Sequence, residues 1–268
     1  MASPTFRCSH CRDRGWIVDL AGEGAGSARR CDCGGRSAPE RLLERAGVPG
    51  RYRDCRLDTF QVSGRGVAAQ QRAAALALSR RYVETFVEPD GRFRDSGLLL
   101  HGPPGTGKTH LAVGVLRALV DAYRVQALFV DFTELVHRIQ GSFDSSSPES
   151  KREILDPVQE AEVLVLDELG AHKPSPWVND VLYLVINHRY ARRRPTLFTT
   201  NYRLQEERPG RELGSLDRGA DPRGGDGDLL AERISARLVS RLWEMAQPVP
   251  LDTVEDFRRE VRMHQFGA

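Results

Sequence analysis

The residues best suited to chemistry lie in the segment GPPGTGKTH, at positions 102–110. Its glycines, lysine and threonine match the pattern G-x-x-x-x-G-K-[ST] in full. Glycine lets the backbone wrap around a phosphate with its N–H groups pointing inward, and a helix that begins there adds the positive end of its dipole. The pattern therefore predicts a phosphate-binding loop in which Lys108 reaches the β- and γ-phosphates of a nucleotide and Thr109 binds Mg²⁺. The predicted nucleotide contacts in this loop are Gly102, Pro103, Pro104, Gly105, Thr106, Gly107, Lys108, Thr109 and His110.

Two adjacent carboxylates, Asp167 and Glu168, end the apolar stretch VLVLDE. Carboxylates at the end of a buried strand are costly unless they have a function. We predict that Asp167 binds at the nucleotide site and helps to hold Mg²⁺, and that Glu168 is catalytic and polarises the attacking water. A helix N-cap is the alternative for this pair. Asn201, which ends PTLFTTN, is predicted to hydrogen-bond the same water or the γ-phosphate, and its alternative is a simple turn residue.

Four of the five cysteines fall within the first 33 residues, as one C-x₂-C pair and one C-x-C pair. Residues 1–36 contain little that could form a core, so a bound metal would help this region to fold. Zn²⁺ takes four thiolates in a tetrahedron, and a closed site of this kind is structural. The alternatives are replacement of one thiolate by His10, and four incidental thiols in a disordered tail. The predicted zinc ligands are Cys8, Cys11, Cys31 and Cys33.

Alternating strands and helices must position these residues. An apolar strand, Gly97–His101, precedes the phosphate-binding loop, and further strands are predicted in RVQALFVDF, AEVLVLDELG, PTLFTTN and QPVPLD. Helices are predicted between them, one capped by Thr133 and one unbroken through LLAERISARLVSRLWEMA. This alternation predicts an α/β fold with a parallel sheet and helices on both faces. The segment 203–228 is expected to be mobile, and Cys55 to be a buried or half-buried small residue.

Composition limits the classes of protein that this chain can belong to. Its 268 residues, 40% hydrophobic and 28% charged, suffice for one α/β domain and a small appendage. The net charge of +2 argues neither for nor against nucleic acid. No apolar stretch reaches the roughly 18–20 residues that a membrane span needs. The N-terminus also lacks the apolar core of a signal peptide, so we expect a cytoplasmic protein without membrane contact.

The order of the motifs resembles that of the AAA+ ATPases: GPPGTGKT, VLVLDE, TTN and then an arginine-bearing helix. More narrowly, RAGVPGRYRDCRLDTF, WVNDVLYLVINHRY and SARLVSRLWEMAQPVPLDTVEDFR resemble the DnaC/DnaI/IstB group of bacterial helicase loaders and transposition helper ATPases. The resemblance implies an AAA+ P-loop NTPase fold. Together with the distribution of cysteines and helices along the chain, it predicts a zinc-binding module (1–36), a connector (37–66) and an AAA+ ATPase domain (67–268). An insert at about 205–228 departs from the family's pattern.

The resemblance also assigns two arginines near the C-terminus. Arg241, in SRLWEM, is implied to be an arginine finger that completes the site of a neighbouring subunit, and Arg258, in EDFRR, to be a second sensor of the nucleotide. A solvated helix face is the alternative for both. Arg237, one turn before Arg241, is a competing finger. The arrangement CxxC…GW…RRCxC resembles the N-terminal element through which some helicase loaders bind a partner.

Two further segments could contact nucleic acid. The basic run HRYARRRP, at 188–195, either compensates a helix dipole at a solvated end or contacts a phosphate backbone. Phe143 follows a predicted helix and precedes a polar loop. It either stacks on a base of single-stranded DNA or closes the helix as a core residue.

These features together predict an ATP-hydrolysing protein of the helicase-loader type, acting in DNA replication with ATP, Mg²⁺ and Zn²⁺ as cofactors. Its expected partners are a replicative ring helicase bound through the N-terminal module, single-stranded DNA, and further copies of itself in an ATP-dependent oligomer. The first alternative is a transposition helper ATPase that binds duplex DNA and activates a transposase. The second is a nucleotide-gated adaptor with little turnover.

Overall fold

The phosphate-binding loop follows the strand Gly97–His101 at the edge of a parallel sheet where the carboxyl ends of the strands meet. The computed structural model describes residues 16–19, 27–31, 38–62, 66–143, 149–172, 174–204 and 229–252. Within these ranges the strands form an antiparallel pair and a five-stranded parallel sheet of order β4-β5-β6-β3-β7. The pair is β1 (Trp16–Asp19) and β2 (Ser27–Arg30), and the sheet comprises β3 (Gly97–His101), β4 (Ala127–Asp131), β5 (Val163–Asp167), β6 (Thr196–Thr200) and β7 (Ala246–Pro250). The predicted parallel sheet is confirmed.

Helices cover both faces of this sheet, as predicted. They are α1 (Ala38–Arg45), α2 (Gly66–Glu84), α3 (Lys108–Tyr123), α4 (Phe132–Gly141), α5 (Lys151–Glu160), α6 (Pro176–Ala191), α7 (Leu230–Arg233) and α8 (Ala236–Met245), with a short 3-10 helix at Gly50–Tyr52. Successive side chains of β3 point to opposite faces. Leu98 and Leu100 pack with α2 and α3, whereas Leu99 packs with α4, α5, α6 and α8. None of the described helices is long and apolar enough to cross a membrane.

The connector packs closely against the sheet domain. The backbone carbonyl of Ala46, which is fully buried, accepts a hydrogen bond of 2.7 Å from the N–H of Phe129 in β4. Leu57 lies so close to Gly114 of α3 that an added Cβ would stand 3.0 Å from the Leu57 side chain. Residues 38–62 therefore extend the core on the α3 side of the sheet.

Two local predictions are wrong. Thr133 does not cap α4, because the Asp131 carboxylate accepts hydrogen bonds from the N–H groups of Thr133 and Glu134. The single helix predicted near the C-terminus is two helices, because the backbone is extended at Ile234 and Ser235 between α7 and α8.

Candidate nucleotide-binding site

The phosphate-binding loop joins β3 to α3 in a conformation that depends on glycine. Gly102, Gly105 and Gly107 have φ values of 143°, 81° and 95°, which side chains other than glycine rarely adopt. A Cβ at Gly102 would also lie 2.6 Å from the backbone oxygen of Leu251. The loop therefore depends on glycine for its backbone conformation and for the close approach of the chain that follows β7.

The Lys108 side chain is hydrogen-bonded to the backbone of the phosphate-binding loop. Its Nζ atom donates hydrogen bonds of 2.7 Å to the backbone oxygens of Gly102 and of Pro103. The side chain is buried, so these carbonyls supply the polar partners that the ammonium group requires. Gly102 and Pro103 thus support the lysine, whereas the residues from Pro104 to His110 line a cleft of about 500 Å³.

Asp167 ends β5 beside the loop and accepts hydrogen bonds from two hydroxyl groups. The Oγ1 atoms of Thr109 and Thr199 lie 3.0 Å and 2.5 Å from its Oδ1. Burial raises the pKa of Asp167 to about 6, although both hydrogen bonds act in the opposite direction. A bound cation would favour the ionised form. The Thr109 hydroxyl and the Asp167 carboxylate offer only oxygen donors, which is the ligand chemistry that Mg²⁺ prefers.

Glu168 leaves the strand with its carboxylate exposed. Its φ of 58° places a non-glycine residue in the left-handed region, which costs about 1–3 kcal/mol and occurs most often at functional sites. The alternative of a helix cap is wrong, because α6 begins at Pro176 and its N-cap is Ser175. Glu168 instead lines the cleft together with Asn201, which follows β6 directly.

The connector supplies a wall of the cleft that the sequence patterns did not predict. The cleft is also lined by Arg51, Tyr52, Cys55, Thr59, Phe60 and Gln61 of the connector, by Arg72 of α2 and by Thr199 of β6. The Phe60 ring makes an edge contact with His110, with ring centroids 5.5 Å apart, and a Cβ at Gly107 would lie 2.6 Å from it. An aromatic wall of this kind suits a flat base. The aromatic residues within GRYRDCRLDTF were the available sequence signal. Cys55 is half-buried as predicted, and burial raises the pKa of its thiol.

Arg241 is held away from the cleft. Its guanidinium donates to the Asn187 side chain and lies over the rings of Tyr183 and Tyr190, at 5.1 Å and 5.3 Å from their centroids. These three partners lie between the middle of α6 and its C-terminal end, and they are not among the residues that line the cleft. Arg237, one turn earlier on α8, is exposed. Arg258 lies outside the described residues.

A further arginine, which the sequence patterns did not indicate, reaches the loop after β5. The guanidinium of Arg233 lies 4.8 Å from the ring centroid of Tyr202, and its Nε donates to the backbone oxygen of Gly170 at 2.9 Å. It therefore links α7 to the segment that follows Glu168.

The two candidate nucleic-acid segments differ in exposure. Phe143 is 64% exposed and makes an edge contact with Trp177, so the alternative of a core residue is wrong. In the basic run, Arg189 is 1% exposed and donates to Thr196 and to backbone oxygens of the segments that precede β5 and β6. His188 and Arg194 both contact Glu160. Much of this run therefore serves internal contacts.

The predicted zinc site falls largely outside the described residues, since Cys8, Cys11 and Cys33 are not among them. Cys31 is buried and follows β2 directly. Pairing of Trp16 with Arg30 brings the start of β1 next to the end of β2. Within the described ranges, no group of three or more potential metal-binding side chains is present. The zinc site remains a prediction.

Comparison with known proteins adds independent information. A family model described as IstB-like ATP binding protein matches residues 67–208, more than half of the chain. Replicative helicase loader DnaC of Escherichia coli K12 is 26% identical over 167 residues, which are 62% of this chain and 63% of DnaC. The match thus spans less than two thirds of that relative's length.

Two solved structures share the fold. The crystal structure of the DnaC helicase loader is 30% identical, with a TM-score of 0.57 over 75% of this chain and 99% of that one. The crystal structure of DnaI, at 24% identity, has a TM-score of 0.55 over 76% of this chain and 94% of that one. These similarities confirm the predicted P-loop fold with a parallel sheet flanked by helices.

Proposed function

Because the chain belongs to the family of IstB-like ATP-binding proteins, with an AAA+ fold of the DnaC type, we propose that it is an ATPase. One observation carries the proposal: Lys108, Thr109, Asp167, Glu168 and Asn201 converge on the edge of the sheet where β3, β5 and β6 end. This set contains a cation for the phosphates, oxygen ligands for a metal and a carboxylate for the attacking water.

The residues divide the work as follows. Thr109 and Asp167 would hold Mg²⁺, which when bound neutralises charge on the phosphates. Lys108 binds the β- and γ-phosphates. The Glu168 carboxylate accepts a hydrogen bond from the attacking water and orients it toward the γ-phosphate. Asn201 donates to the same water or to the phosphate.

The likeness to DnaC, which is named a replicative helicase loader, supports the finer proposal that ATP turnover is coupled to loading of a ring helicase onto single-stranded DNA. The exposed Phe143, beside Trp177, offers a ring on which a base can stack. The N-terminal module would bind the helicase, and ATP would promote self-association.

Arg241 is proposed as a finger that acts on a neighbouring subunit. Neither Arg241 nor its partners on α6 are among the residues that line the cleft, so it is poorly placed to serve its own nucleotide. Acting in trans would require Arg241 to leave Asn187 and the two tyrosine rings, whereas the exposed Arg237 would need no such release. Arg258 is proposed as the second sensor.

A transposition helper is the second candidate, because the matching family model carries the IstB name. The two functions differ in the DNA that they bind. We would measure ATP hydrolysis by the purified chain, and its affinity for single-stranded and duplex DNA of equal length with a non-hydrolysable ATP analogue. Preference for single strands supports the loader, and preference for duplex supports the helper. Nucleotide binding without turnover, with or without DNA, favours a nucleotide-gated adaptor and contradicts the ATPase.

The N-terminal module is proposed to hold one structural zinc. The antiparallel pairing of β1 and β2 supports it by closing the segment between the two cysteine pairs. Elemental analysis should find about one zinc per chain, as expected for a four-thiolate site. Cys31→Ser should lose the metal and retain ATP binding. Cys55→Ser, at a cysteine outside the predicted ligand set, is the control for the metal and should retain it. Wild-type protein that is folded and free of zinc would refute the site.

A further inference from the structure

The pairing of β5 with β6 stops one residue before Asp167 and Glu168. The last paired residues in the register are Leu166 and Phe198. Beyond them, Glu168 adopts a left-handed conformation with φ of 58°, and Gly170 follows with φ of 86°. On the β6 side the regular ladder therefore stops before the two acidic residues, although Asp167 still pairs with Asp131 of β4. Another contact must link them to β6.

Thr199 of β6 provides that contact. Its Oγ1 lies 2.5 Å from Oδ1 of Asp167 and 3.0 Å from the backbone nitrogen of Glu168. Its backbone oxygen accepts a third hydrogen bond, of 2.8 Å, from the N–H of Leu169. Thr199 is 1% exposed, so these groups have no access to bulk water. Three successive residues are thus held by one threonine.

The directions of these hydrogen bonds are set by chemistry. A hydroxyl has one hydrogen to donate, and a backbone N–H can only donate. When Asp167 is ionised, Thr199 must therefore donate to the carboxylate and accept from Glu168. Valine has nearly the shape of threonine but can do neither. The Thr109 hydroxyl cannot substitute, because it contacts Asp167 alone among the two acidic residues.

We propose that Thr199 is a positioning residue that couples the orientation of the proposed Mg²⁺ ligand Asp167 to the backbone conformation of the proposed water-orienting residue Glu168. The inference rests on the proposed ATPase function. Thr199 lines the cleft, but its hydroxyl is bonded to Asp167 and to the Glu168 N–H, so its loss should affect turnover and metal use more than nucleotide binding itself.

The main variant is Thr199→Val. We expect its kcat to fall about 10- to 100-fold, as for loss of a hydrogen bond to a charged group, with little change in KM for ATP. Thr199→Ser retains the hydroxyl and should restore most of the activity. Thr196→Val is the matched control, because Thr196 is equally buried on β6 but its hydroxyl binds Arg189. That control should lose stability and keep kcat close to the wild-type value.

A second measurement is independent of turnover. The affinity for a fluorescent ATP analogue would be titrated with Mg²⁺, and Thr199→Val should need about tenfold more Mg²⁺ for the same gain in affinity. In Mg²⁺-free buffer its affinity should equal that of the wild type. If Thr199→Val does not fold, Thr199→Cys, with its weak donor, takes its place in both measurements.

The outcomes separate this inference from the proposed function. Wild-type turnover with an unchanged kcat and Mg²⁺ requirement in the valine or cysteine variant overturns the role of Thr199 and leaves the ATPase intact. Absence of wild-type turnover overturns the ATPase. The Mg²⁺ titration then tests by itself whether Thr199 orients Asp167, and an unchanged Mg²⁺ requirement in Thr199→Val overturns that role. A wild type whose nucleotide affinity does not respond to Mg²⁺ overturns the metal role of Asp167, and with it the role of Thr199, whether or not the protein hydrolyses ATP. Serine behaving like valine also overturns the role of the hydroxyl.

Discussion

The charged residues assigned to ATP hydrolysis lie in two regions that hold them in different ways. The first, the sheet edge, is the end of the sheet where β3, β5 and β6 finish. The second, the α6–α8 surface, is the surface where Arg241 of α8 contacts α6. At the edge, Lys108 and Asp167 are buried and bound by groups close to the phosphate-binding loop. On the α6–α8 surface, Arg241 is bound to side chains of α6 that have no part in the nucleotide site. The first region is assembled within one chain. The second gains a catalytic role only if Arg241 of one subunit enters the nucleotide cleft of another.

The largest effect that we predict tests this difference directly. Arg241→Ala should bind ATP normally and lower hydrolysis by about 10³–10⁵-fold, the range for arginine fingers. Mixing it with Lys108→Ala, which has a defective cleft and an intact finger, should recover part of the activity. Steady-state phosphate release at concentrations where the wild type self-associates measures both. Arg237→Ala, one turn earlier, is the control.

Two results would contradict the role of Arg241. No recovery on mixing would exclude a finger acting in trans at this position. If Arg237→Ala instead caused the large loss, while Arg241→Ala lowered only the melting temperature, Arg241 would be a packing residue of α8. The contacts with Asn187 and the tyrosine rings would then be its whole function.

At the sheet edge, Glu168→Gln should lower kcat by about 10²–10⁴-fold, the usual contribution of a general base. The amide keeps the shape of the side chain and loses the charge that polarises water, so ATP and Mg²⁺ affinity should remain. Nucleotide binding and single-turnover hydrolysis separate the two effects. Glu162→Gln, an exposed change at the start of the same strand, should behave as wild type. Wild-type turnover by Glu168→Gln would remove this residue from the mechanism.

The same comparison explains how much of the molecule can be predicted from sequence. The loop glycines, Lys108 and Thr109 are neighbours in the chain, and Asp167 and Glu168 end one apolar strand. Their arrangement depends on local backbone geometry and on the rule that parallel strands end at a common edge. The fold and the core of the site were therefore predictable.

Residues missed by sequence reasoning meet the site only through tertiary contacts. Phe60 reaches Gly107 across 47 positions of the chain, and Thr199 looks like any β-branched strand residue until its hydroxyl is placed against Asp167. Arg189 looks like a solvated end of a helix, yet it is buried among carbonyl groups. Such roles depend on distant partners, and no short pattern encodes them.

A prediction of intermediate size concerns Phe143, the exposed residue that follows α4 and contacts Trp177 of α6. Phe143→Ala should weaken binding of single-stranded DNA by about 5- to 150-fold, since stacking on a base contributes about 1–3 kcal/mol. Because Phe143 is 64% exposed, the melting temperature of the Phe143→Ala variant should differ little from that of the wild type. Fluorescence anisotropy with a labelled oligonucleotide measures the affinity. Phe93→Ala, at another exposed phenylalanine, is the control, and an equal loss in both variants would argue against a specific contact.

The smallest effect that we predict concerns the free energy of unfolding. It tests whether the buried carboxylate at the sheet edge destabilises the folded protein. Burial raises the pKa of Asp167 from 3.8 to about 6. A carboxyl with a raised pKa holds its proton more tightly in the folded state than in the unfolded state. Its ionisation therefore destabilises the fold as the pH rises from about 4 to about 6, and the loss persists above that range.

Asp167→Asn removes this penalty and keeps an oxygen that accepts from Thr109 and Thr199. We expect the nucleotide-free variant to exceed the wild type in stability by about 1–3 kcal/mol at pH 7, with the gain shrinking toward zero near pH 4. Thermal unfolding at both pH values measures it, with the exposed Asp121→Asn on α3 as the control. A variant less stable than the wild type at pH 7 would mean that the ionised carboxylate supports the edge. The nucleotide site would then contribute to the stability of the fold rather than reduce it.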